Sequence, residues 1–393
     1  MEMAAIFFYA ARMNDVRTRR RKAPSLLPVY MGVGTSNLRG PAAFAAQNRV
    51  MPTGSDMVQM TRGIQLYQNH PYDPSRGLHA PVWSYETSQI MVPHAVTRQQ
   101  GQSVGRALLL IPSLVNKATI LDLIPERSFL RWMCAQGIDT YLFDWGSLST
   151  CEESVDMDYL IRHRLIPAIE HLSDSTGAPI DLLGYCMGGT LSLAASMFCA
   201  ERINKIVLLA APWDFHAGHP VLSRHVRSWA PSVLPVIQQK GFLPAEWTQA
   251  LFASLDAQDV VQKFCRFSSM PQRSEKAKLF VAVEDWLNDG CDLPGDVARH
   301  CIQEWFSKNA PAKGQWIVNG RCVDIGSIEK DVLVVASDRD RLVPYESAVI
   351  VCDFLPAGRA QILKKSHGHV GAIAGSNSVS SVWKPIRNWL LGA

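Results

Sequence analysis

The chain of 393 residues has few charged side chains and little net charge. Asp, Glu, Lys and Arg make up 19% of the residues, and the formal net charge is +4. A protein that attracts nucleic acid or another polyanion through its overall charge needs a larger basic excess. Much of the excess lies in one run at residues 17–22. The apolar fraction of 47% instead predicts a globular protein with a sizeable core.

The sequence also lacks the signatures of disulfide, metal and nucleotide-binding proteins. Its nine cysteines are odd in number and scattered, and no C-x-x-C pair occurs. His216 and His219 do not have the surroundings of a metal pair, and there is no glycine-rich phosphate loop or dinucleotide fingerprint. We therefore predict a reduced chain in the cytoplasm, with neither a metal nor a resident cofactor.

Long apolar runs are missing as well. No window reaches the roughly 18 uninterrupted apolar residues that a membrane-spanning helix requires. The short apolar stretch at 3–11 precedes the basic run, which is the reverse of the secretory order. Two interpretations stay open: a segment that lies on an interface beside its cations, or a frayed terminus.

From about residue 104 onward, strand and helix patterns alternate. Continuous apolar runs are typical of strands that are buried on both faces of a parallel sheet. The predicted strands lie at 107–112, 140–144, 180–184, 205–211, 332–336 and 361–365, and the predicted helices at 122–136, 159–172, 187–199 and 382–391. This alternation predicts an α/β protein with a mostly parallel sheet flanked by helices.

The alternation breaks between about 213 and 328, where the sequence is rich in Trp and Pro and mostly helical in pattern. A helical insert within a parallel sheet predicts a cap over a site at the strand ends. We predict a helical and partly flexible N-terminal region at 1–80, a core formed by 81–212 and 329–393, and a cap at 213–328.

The most informative segment joins the strand at 180–184 to the helix at 187–199. Gly184 and Gly188 flank Cys186 in a G-x-nucleophile-x-G elbow, with Cys where hydrolases usually carry Ser. The sharp turn strains the nucleophile's backbone, and the glycines let strand and helix approach closely. The following helix directs its N-terminus at the reaction centre, where the N–H of Met187 is a natural oxyanion donor. The alternative is a buried structural cysteine in a glycine-rich turn.

Acid and base candidates follow in the chain order of this elbow class. Asp338 and Asp340 come directly after one predicted strand, and His367 and His369 come after the last one. The carboxyl ends of parallel strands build the site in such sheets. The acid would orient the imidazole, and the imidazole would deprotonate the thiol. Spacing alone leaves both the choice of acid and the choice of base open.

Several blocks of the chain, in order, resemble the polyhydroxyalkanoate synthases. The resemblance covers about 105 to 372 and includes stretches similar to the smaller, two-component synthases. Its blocks are 111–117 (Ile-Pro-Ser-Leu-Val-Asn-Lys), 120–123, 125–128, 141–145, 183–190 (Leu-Gly-Tyr-Cys-Met-Gly-Gly-Thr), 284–286, 313–314, 319–324, 340–344 (Asp-Arg-Leu-Val-Pro) and 368–371 (Gly-His-Val-Gly).

This resemblance implies an α/β-hydrolase fold and a triad of Cys186, Asp340 and His369. Asp340 begins the Asp-Arg-Leu-Val-Pro element, and His369 stands in the Gly-His motif. The resemblance also suggests that the loop near Val115 supplies a second oxyanion N–H beside that of Met187.

The implied activity is the polymerisation of 3-hydroxyacyl-CoA through a cysteine acyl-enzyme. The coenzyme A is carried by the substrate, and no further cofactor is implied. The partners would be the substrate, the growing polyester, a partner subunit and a second copy in a homodimer, without nucleic acid. The location would be the cytoplasm, including the surface of polymer granules.

Two other functions fit the same residues. A thioesterase, esterase or polymer depolymerase needs the same scaffold and differs only in the access of water to the acyl-enzyme. A non-enzymatic protein bound to granules or membranes is suggested by the basic, apolar N-terminus, but a complete triad argues against it.

Overall fold

The structure is a computed structural model that describes residues 21, 53–73, 79–93, 106–148, 155–218, 220–255 and 257–392. The apolar stretch at 3–11 and most of the basic run at 17–22 lie outside these residues. Among the described helices, none combines the length and the apolar character needed to cross a membrane.

Within the described residues, eight strands form one sheet. They are His79–Tyr85 (β1), Ser88–Pro93 (β2), Ala107–Ile111 (β3), Asp139–Asp144 (β4), Ile180–Tyr185 (β5), Ile203–Leu209 (β6), Asp331–Ser337 (β7) and Ala360–Lys365 (β8). The order across the sheet is β1-β2-β4-β3-β5-β6-β7-β8. Strand β2 runs antiparallel to both of its neighbours, and the remaining pairs are parallel. This is an α/β-hydrolase fold, as expected.

Helices connect these strands. The α-helices are Gly54–Gln68 (α1), Phe129–Ala135 (α2), Met157–Tyr159 (α3), Ile166–Thr176 (α4), Met187–Ser196 (α5), Val221–Lys240 (α6), Ala245–Leu255 (α7), Ala257–Ser268 (α8), Glu275–Asn288 (α9), Gly295–His300 (α10), Tyr345–Val349 (α11), Gly371–Ala374 (α12) and Lys384–Leu391 (α13). Turns of π-helix at Leu160–Leu165, Cys301–Ser307 and Val379–Trp383 extend α3, α10 and α13.

The central strands are buried on both faces, which explains their uninterrupted apolar sequences. In β3, Leu109 and Ile111 pack into the core on one face of the sheet, and Leu108 and Leu110 pack into the core on the other. Successive side chains of a strand point to opposite faces, so a strand between two helical layers must be apolar throughout.

One predicted helix is wrong in its first half. Residues 122–136 begin as a small hairpin of Asp122–Ile124 with Arg127–Ser128, and only α2 is helical. Pro125 lies in the hairpin turn, where a helix would lose a hydrogen bond and clash with the ring. The hydroxyl of Ser128 accepts a hydrogen bond from the N–H of Arg131 and so caps α2.

The hairpin of β1 and β2 was not expected from the sequence. Strand β1 lies at the edge of the sheet, and its pairing with β2 is irregular between Pro81 and Trp83. A proline in an edge strand is tolerated at such an irregularity but hides the strand pattern. The burial of β2 also departs from strict alternation.

Helices α6 to α10 lie between β6 and β7 in the chain, and α6, α7, α9 and α10 contribute to the cavity described below. Helix α1 packs on α8, and the approach is close: a Cβ added at Gly63 would lie 2.1 Å from the carbonyl oxygen of Phe264. The guanidinium of Arg21 forms an ion pair with Asp285 of α9, with Nε 2.7 Å from Oδ1. The domain limits at 80, 212 and 328 remain a prediction.

Candidate active site

Cys186 lies in the turn between β5 and α5. Its backbone has φ of 55° and ψ of −127°, a conformation that residues other than glycine rarely adopt. The N–H of Cys186 donates to the carbonyl oxygen of Leu209 at the end of β6, at 2.9 Å. Surrounding structure has to hold a residue in such a conformation, and this arrangement is typical of functional turns.

The glycines around the turn are in contact with backbone. A Cβ added at Gly184 would lie 2.3 Å from the Cα of Gly189, and one added at Gly188 would lie 2.2 Å from the carbonyl oxygen of Ile111. Real Cβ atoms do not approach other atoms so closely. The two glycines therefore permit the contact of α5 with β5 and β3 that the elbow requires.

Asp340 and His369 form a buried hydrogen-bonded pair. The Nδ1 atom of His369 lies 2.7 Å from Oδ2 of Asp340. The other carboxylate oxygen of Asp340 accepts hydrogen bonds from the backbone N–H groups of Leu342 and Val343, at 2.9 and 3.0 Å. These bonds fix the carboxylate, and the pairing at Nδ1 leaves Nε2 of His369 for Cys186.

The electrostatics of His369 follow from this pairing. Burial by itself lowers the pKa of His369, because it disfavours the charged imidazolium. The negative charges of Asp340 and of a Cys186 thiolate, and hydrogen bonds to both side chains, outweigh burial and raise the pKa of His369 well above its ordinary value. The imidazole therefore binds a proton more strongly than an ordinary histidine does.

Tyr185 is a further buried residue at the site, and the sequence did not single it out. Its ring stacks on the imidazole of His369 with 5.1 Å between centroids, and its hydroxyl donates to the His369 carbonyl oxygen at 3.4 Å. Burial, together with the charges of Cys186 and Asp340, raises the pKa of Tyr185 well above its ordinary value. The one sequence signal was its place beside the candidate nucleophile.

The alternative acid and base lie away from this pair. The carboxylate of Asp338 is half-exposed and lies 3.7 Å from Nζ of Lys364. His367 is partly exposed, and its Nδ1 lies 3.1 Å from the carbonyl oxygen of Gly368. The geometry thus brings Asp340, and not Asp338, into contact with a histidine of the neighbouring loop.

An apolar cavity of about 190 Å³ lies against Cys186 and His369. Helices α6 and α7 and the segment around α10 form one side of its wall, and the loops at the strand ends form the other. The apolar side chains that α6 and α7 contribute include Leu222, Val226, Trp229, Val233, Trp247 and Leu251. Such an apolar wall favours an apolar group over water in the space beside the thiol.

The two expected oxyanion donors also line this cavity. Met187 is the first residue of α5, where N–H groups have no partner within the helix. In the described part of the chain, no hydrogen bond from the N–H of Val115 is found, while its carbonyl oxygen accepts from the N–H of Cys291 at 3.1 Å. Both N–H groups are thus available to an oxyanion.

The loop that carries Val115 is tied to the C-terminal end of α9. The indole N–H of Trp286 donates to the carbonyl oxygen of Lys117 at 2.8 Å. The ammonium of Lys117 lies 2.7 Å from Oδ1 of Asp289, and Asn116 forms an isolated bridge with Gly290. These contacts join the loop of the sheet domain to the helical insert.

Comparison with known proteins finds poly(3-hydroxyalkanoate) polymerases among the relatives of this chain. A poly(3-hydroxyalkanoate) polymerase subunit PhaC from Haloferax mediterranei is 27% identical over 353 residues, which are 89% of this chain and 72% of the relative. The PhaC subunit of Allochromatium vinosum is 26% identical over 285 residues, which are 72% of this chain and 80% of the relative. The chain is related to the polyhydroxyalkanoate synthases. The resemblance expected from the sequence motifs is thereby confirmed.

No family model matches this chain. Among solved structures, the monoacylglycerol lipase of Paleococcus ferrophilus superposes with a TM-score of 0.47 and 14% identity, over 73% of this chain and 94% of the lipase.

Two other cysteines, Cys301 and Cys291, are poorer nucleophile candidates than Cys186. Cys301 also lines the cavity, but burial raises its pKa to about 12, so it stays protonated at neutral pH. Burial likewise raises the pKa of Cys291 to about 11. In the described ranges, no group of three or more His, Cys, Asp or Glu side chains is arranged to hold a metal ion.

Proposed function

We propose that this chain is an acyltransferase that polymerises 3-hydroxyacyl-CoA through a cysteine acyl-enzyme. The observation that carries the proposal is a strained cysteine at the elbow, beside a buried Asp340–His369 hydrogen bond and an apolar cavity. A thiol is suited to thioester exchange, because the attacking and leaving sulfurs have similar basicity. The relationship to proteins named poly(3-hydroxyalkanoate) polymerases supports this choice of reaction.

In the first step, Nε2 of His369 takes the proton of the Cys186 thiol, and the thiolate attacks the thioester carbonyl. The N–H groups of Met187 and Val115 stabilise the oxyanion. The carbon–sulfur bond to coenzyme A then breaks, and His369 returns the proton to the leaving thiolate. An acyl group remains on Cys186, and Asp340 holds the imidazole in the tautomer that both transfers need.

In the second step, the 3-hydroxyl group of another unit attacks the acyl-cysteine. His369 takes the proton of this hydroxyl, an ester bond forms, and the bond to Cys186 breaks. The sulfur leaves as a thiolate, which regains its proton from His369. Chain growth repeats both steps, so the site has to favour a hydroxyl over water at the acyl-enzyme.

The apolar cavity supports this preference. Side chains of the helical insert, among them Trp229 and Trp247, enclose the space beside the thiol. An acyl group that fills this space displaces water, while the attacking 3-hydroxyl group is carried in by the apolar chain of the second unit. By the same reasoning, a hydrolase on this scaffold would need a path for water to Cys186.

We further propose that the chain works with a partner subunit and as a homodimer. The relatives from Haloferax mediterranei and Allochromatium vinosum are named as subunits. Because a polyester product is insoluble, an enzyme that stays attached to it would lie at the surface of a granule.

The test follows free thiol and insoluble polymer from 3-hydroxybutyryl-CoA with the purified protein. Cys186→Ala is compared with Cys352→Ala, which removes a half-buried thiol that does not line the cavity. We expect thiol release with polymer in the unchanged protein and in Cys352→Ala. Loss by at least about 10³-fold is expected in Cys186→Ala.

Thiol release with only free hydroxy acid would identify a thioesterase instead. Thiol release that survives Cys186→Ala would refute the nucleophile. A protein that releases no thiol from 3-hydroxyacyl-CoA with side chains from methyl to pentyl, alone or with cell extract that supplies partners, would refute the synthase proposal.

A further inference from the structure

Two neighbouring loops carry the acid and the base. Strand β7 ends at Ser337, three residues before Asp340, and β8 ends at Lys365, four residues before His369. The strands are parallel, and Ser337 is the register partner of Lys365. The relative position of the two loops therefore decides whether the carboxylate meets the imidazole.

The side chain of Ser337 joins these loops. Its hydroxyl donates to the carbonyl oxygen of His367 at 2.6 Å and accepts from the N–H of His367 at 2.8 Å. It also accepts a hydrogen bond from the N–H of Arg339, at 3.3 Å. One donor and two acceptor positions are all that a hydroxyl offers, so Ser337 is saturated. The residue is 2% exposed, and water cannot replace these bonds easily.

The hydrogen bonds of the Ser337 hydroxyl hold backbone groups close to both the acid and the base. His367 is two residues before His369, and both of its backbone polar groups are held. Arg339 directly precedes Asp340. Backbone bonds add to this tie: the N–H of Asp338 donates to the Lys365 carbonyl oxygen at 3.2 Å. These backbone bonds do not depend on the side chain at 337, whereas the three bonds of the hydroxyl do.

We propose that Ser337 is a positioning residue, which holds the loop of His369 against the loop of Asp340 at the distance their hydrogen bond requires. The catalytic meaning of this role rests on the proposed function, but the positioning itself does not. Without the hydroxyl, the backbone groups of His367 and the N–H of Arg339 lose their partners in a buried place, and the loops separate or shift to find others.

A merely structural role predicts a different result. A serine that only terminates β7 would change the stability of the fold without changing the surroundings of His369. The charged and titratable groups that face His369 are Asp340, Cys186 and Tyr185. Among the described residues, the hydroxyl of Ser337 forms no hydrogen bond with any of these three side chains. A change in the titration of His369 on loss of this hydroxyl would therefore come through the position of the loops.

The experiment compares Ser337→Ala with Ser337→Thr, which keeps the hydroxyl. Ser173→Ala is the control, because Ser173 is also buried and its hydroxyl donates to the carbonyl oxygen of Ala178, just beyond the C-terminal end of α4. The imidazole of His369 is followed by NMR of histidine-labelled protein as the pH is changed, with assignment by its absence in His369→Asn. In parallel, kcat and KM are measured for thiol release from 3-hydroxybutyryl-CoA.

We expect the titration midpoint of His369 to fall towards the ordinary histidine value in Ser337→Ala and to stay in place in Ser337→Thr and Ser173→Ala. We expect kcat of Ser337→Ala to fall about ten- to a hundredfold, with KM within about twofold. NMR sees the folded molecules, so a loss of stability alone does not move the midpoint.

An unchanged midpoint and kcat in Ser337→Ala would overturn the proposal. A fall in both that Ser337→Thr does not restore would also overturn it, because the hydroxyl would not be the cause. A protein that cleaves no acyl thioester but shows the expected midpoints would refute the proposed function and leave the positioning role standing.

Discussion

Two motif glycines look alike in the sequence, and the structure predicts opposite effects for their replacement. Gly184 begins the elbow motif, and Gly368 stands next to His369 in the Gly-His motif. In Gly184→Ala the new Cβ would lie 2.3 and 2.5 Å from the Cα and N atoms of Gly189. In Gly368→Ala it would have no neighbour within 4 Å, and Gly368 does not have a positive φ.

The expected magnitudes follow from these distances. Ordinary van der Waals contact would require α5 to move about 1 Å from β5 in Gly184→Ala, and backbone cannot rotate away as a side chain can. We expect a loss of about 3 kcal/mol in the free energy of unfolding, at the upper end of overpacking effects. For Gly368→Ala we expect a change of less than about 1 kcal/mol, with a tendency to stabilise through the unfolded chain.

Equilibrium unfolding in urea measures both changes, and the rate of thiol release from an acyl-CoA measures the site. Gly184→Ala should lose activity together with stability, because the shift of α5 carries the N–H of Met187 away from the thiol. Gly368→Ala should keep both. Equal losses of stability in the two variants would refute the reasoning, since contact distance would then not decide the cost.

Two further predictions concern other parts of the chain. Burial raises the pKa of Asp181 from 3.8 to about 6, against the opposing charge of Arg106 and the hydrogen bond from Asn204. The carboxyl group of Asp181 thus binds its proton more tightly in the folded protein than in the unfolded chain. The protonated carboxyl group contributes to stability near pH 4, and this contribution, about 3 kcal/mol in the free energy of unfolding, is lost as the pH rises to about 6. The difference in unfolding free energy between the unchanged protein and Asp181→Asn should fall over this range, and a constant difference would contradict the shift. Trp286→Phe removes the indole N–H that holds Lys117; it should cost about 1 kcal/mol and lower kcat about tenfold at similar KM, as steady-state kinetics would show. A loss of stability without a kinetic change would mean that Trp286 supports only the fold.

Much of the sheet could be predicted from the sequence, because a parallel strand that is buried on both faces consists of a continuous run of apolar residues. Strands β3, β5 and β7 agree with the predicted ranges to within one or two residues. The edge hairpin of β1 and β2 could not be predicted in this way. An edge strand is exposed on one side and so needs no continuous apolar run, and the proline in β1 is atypical of a strand sequence.

The sequence by itself determined the elbow at Cys186, since a strand, a glycine-flanked residue and a helix are encoded by adjacent residues. It also placed two acids and two histidines at strand ends, but local spacing could not choose between Asp338 and Asp340. Only the tertiary structure brought Nδ1 of His369 to 2.7 Å from Oδ2 of Asp340. The stacking of Tyr185, the tie through Ser337 and the cavity walls from α6 and α7 likewise join residues that are distant in the chain. Such contacts are set by the packing of whole elements against each other, and no local pattern of residues records them.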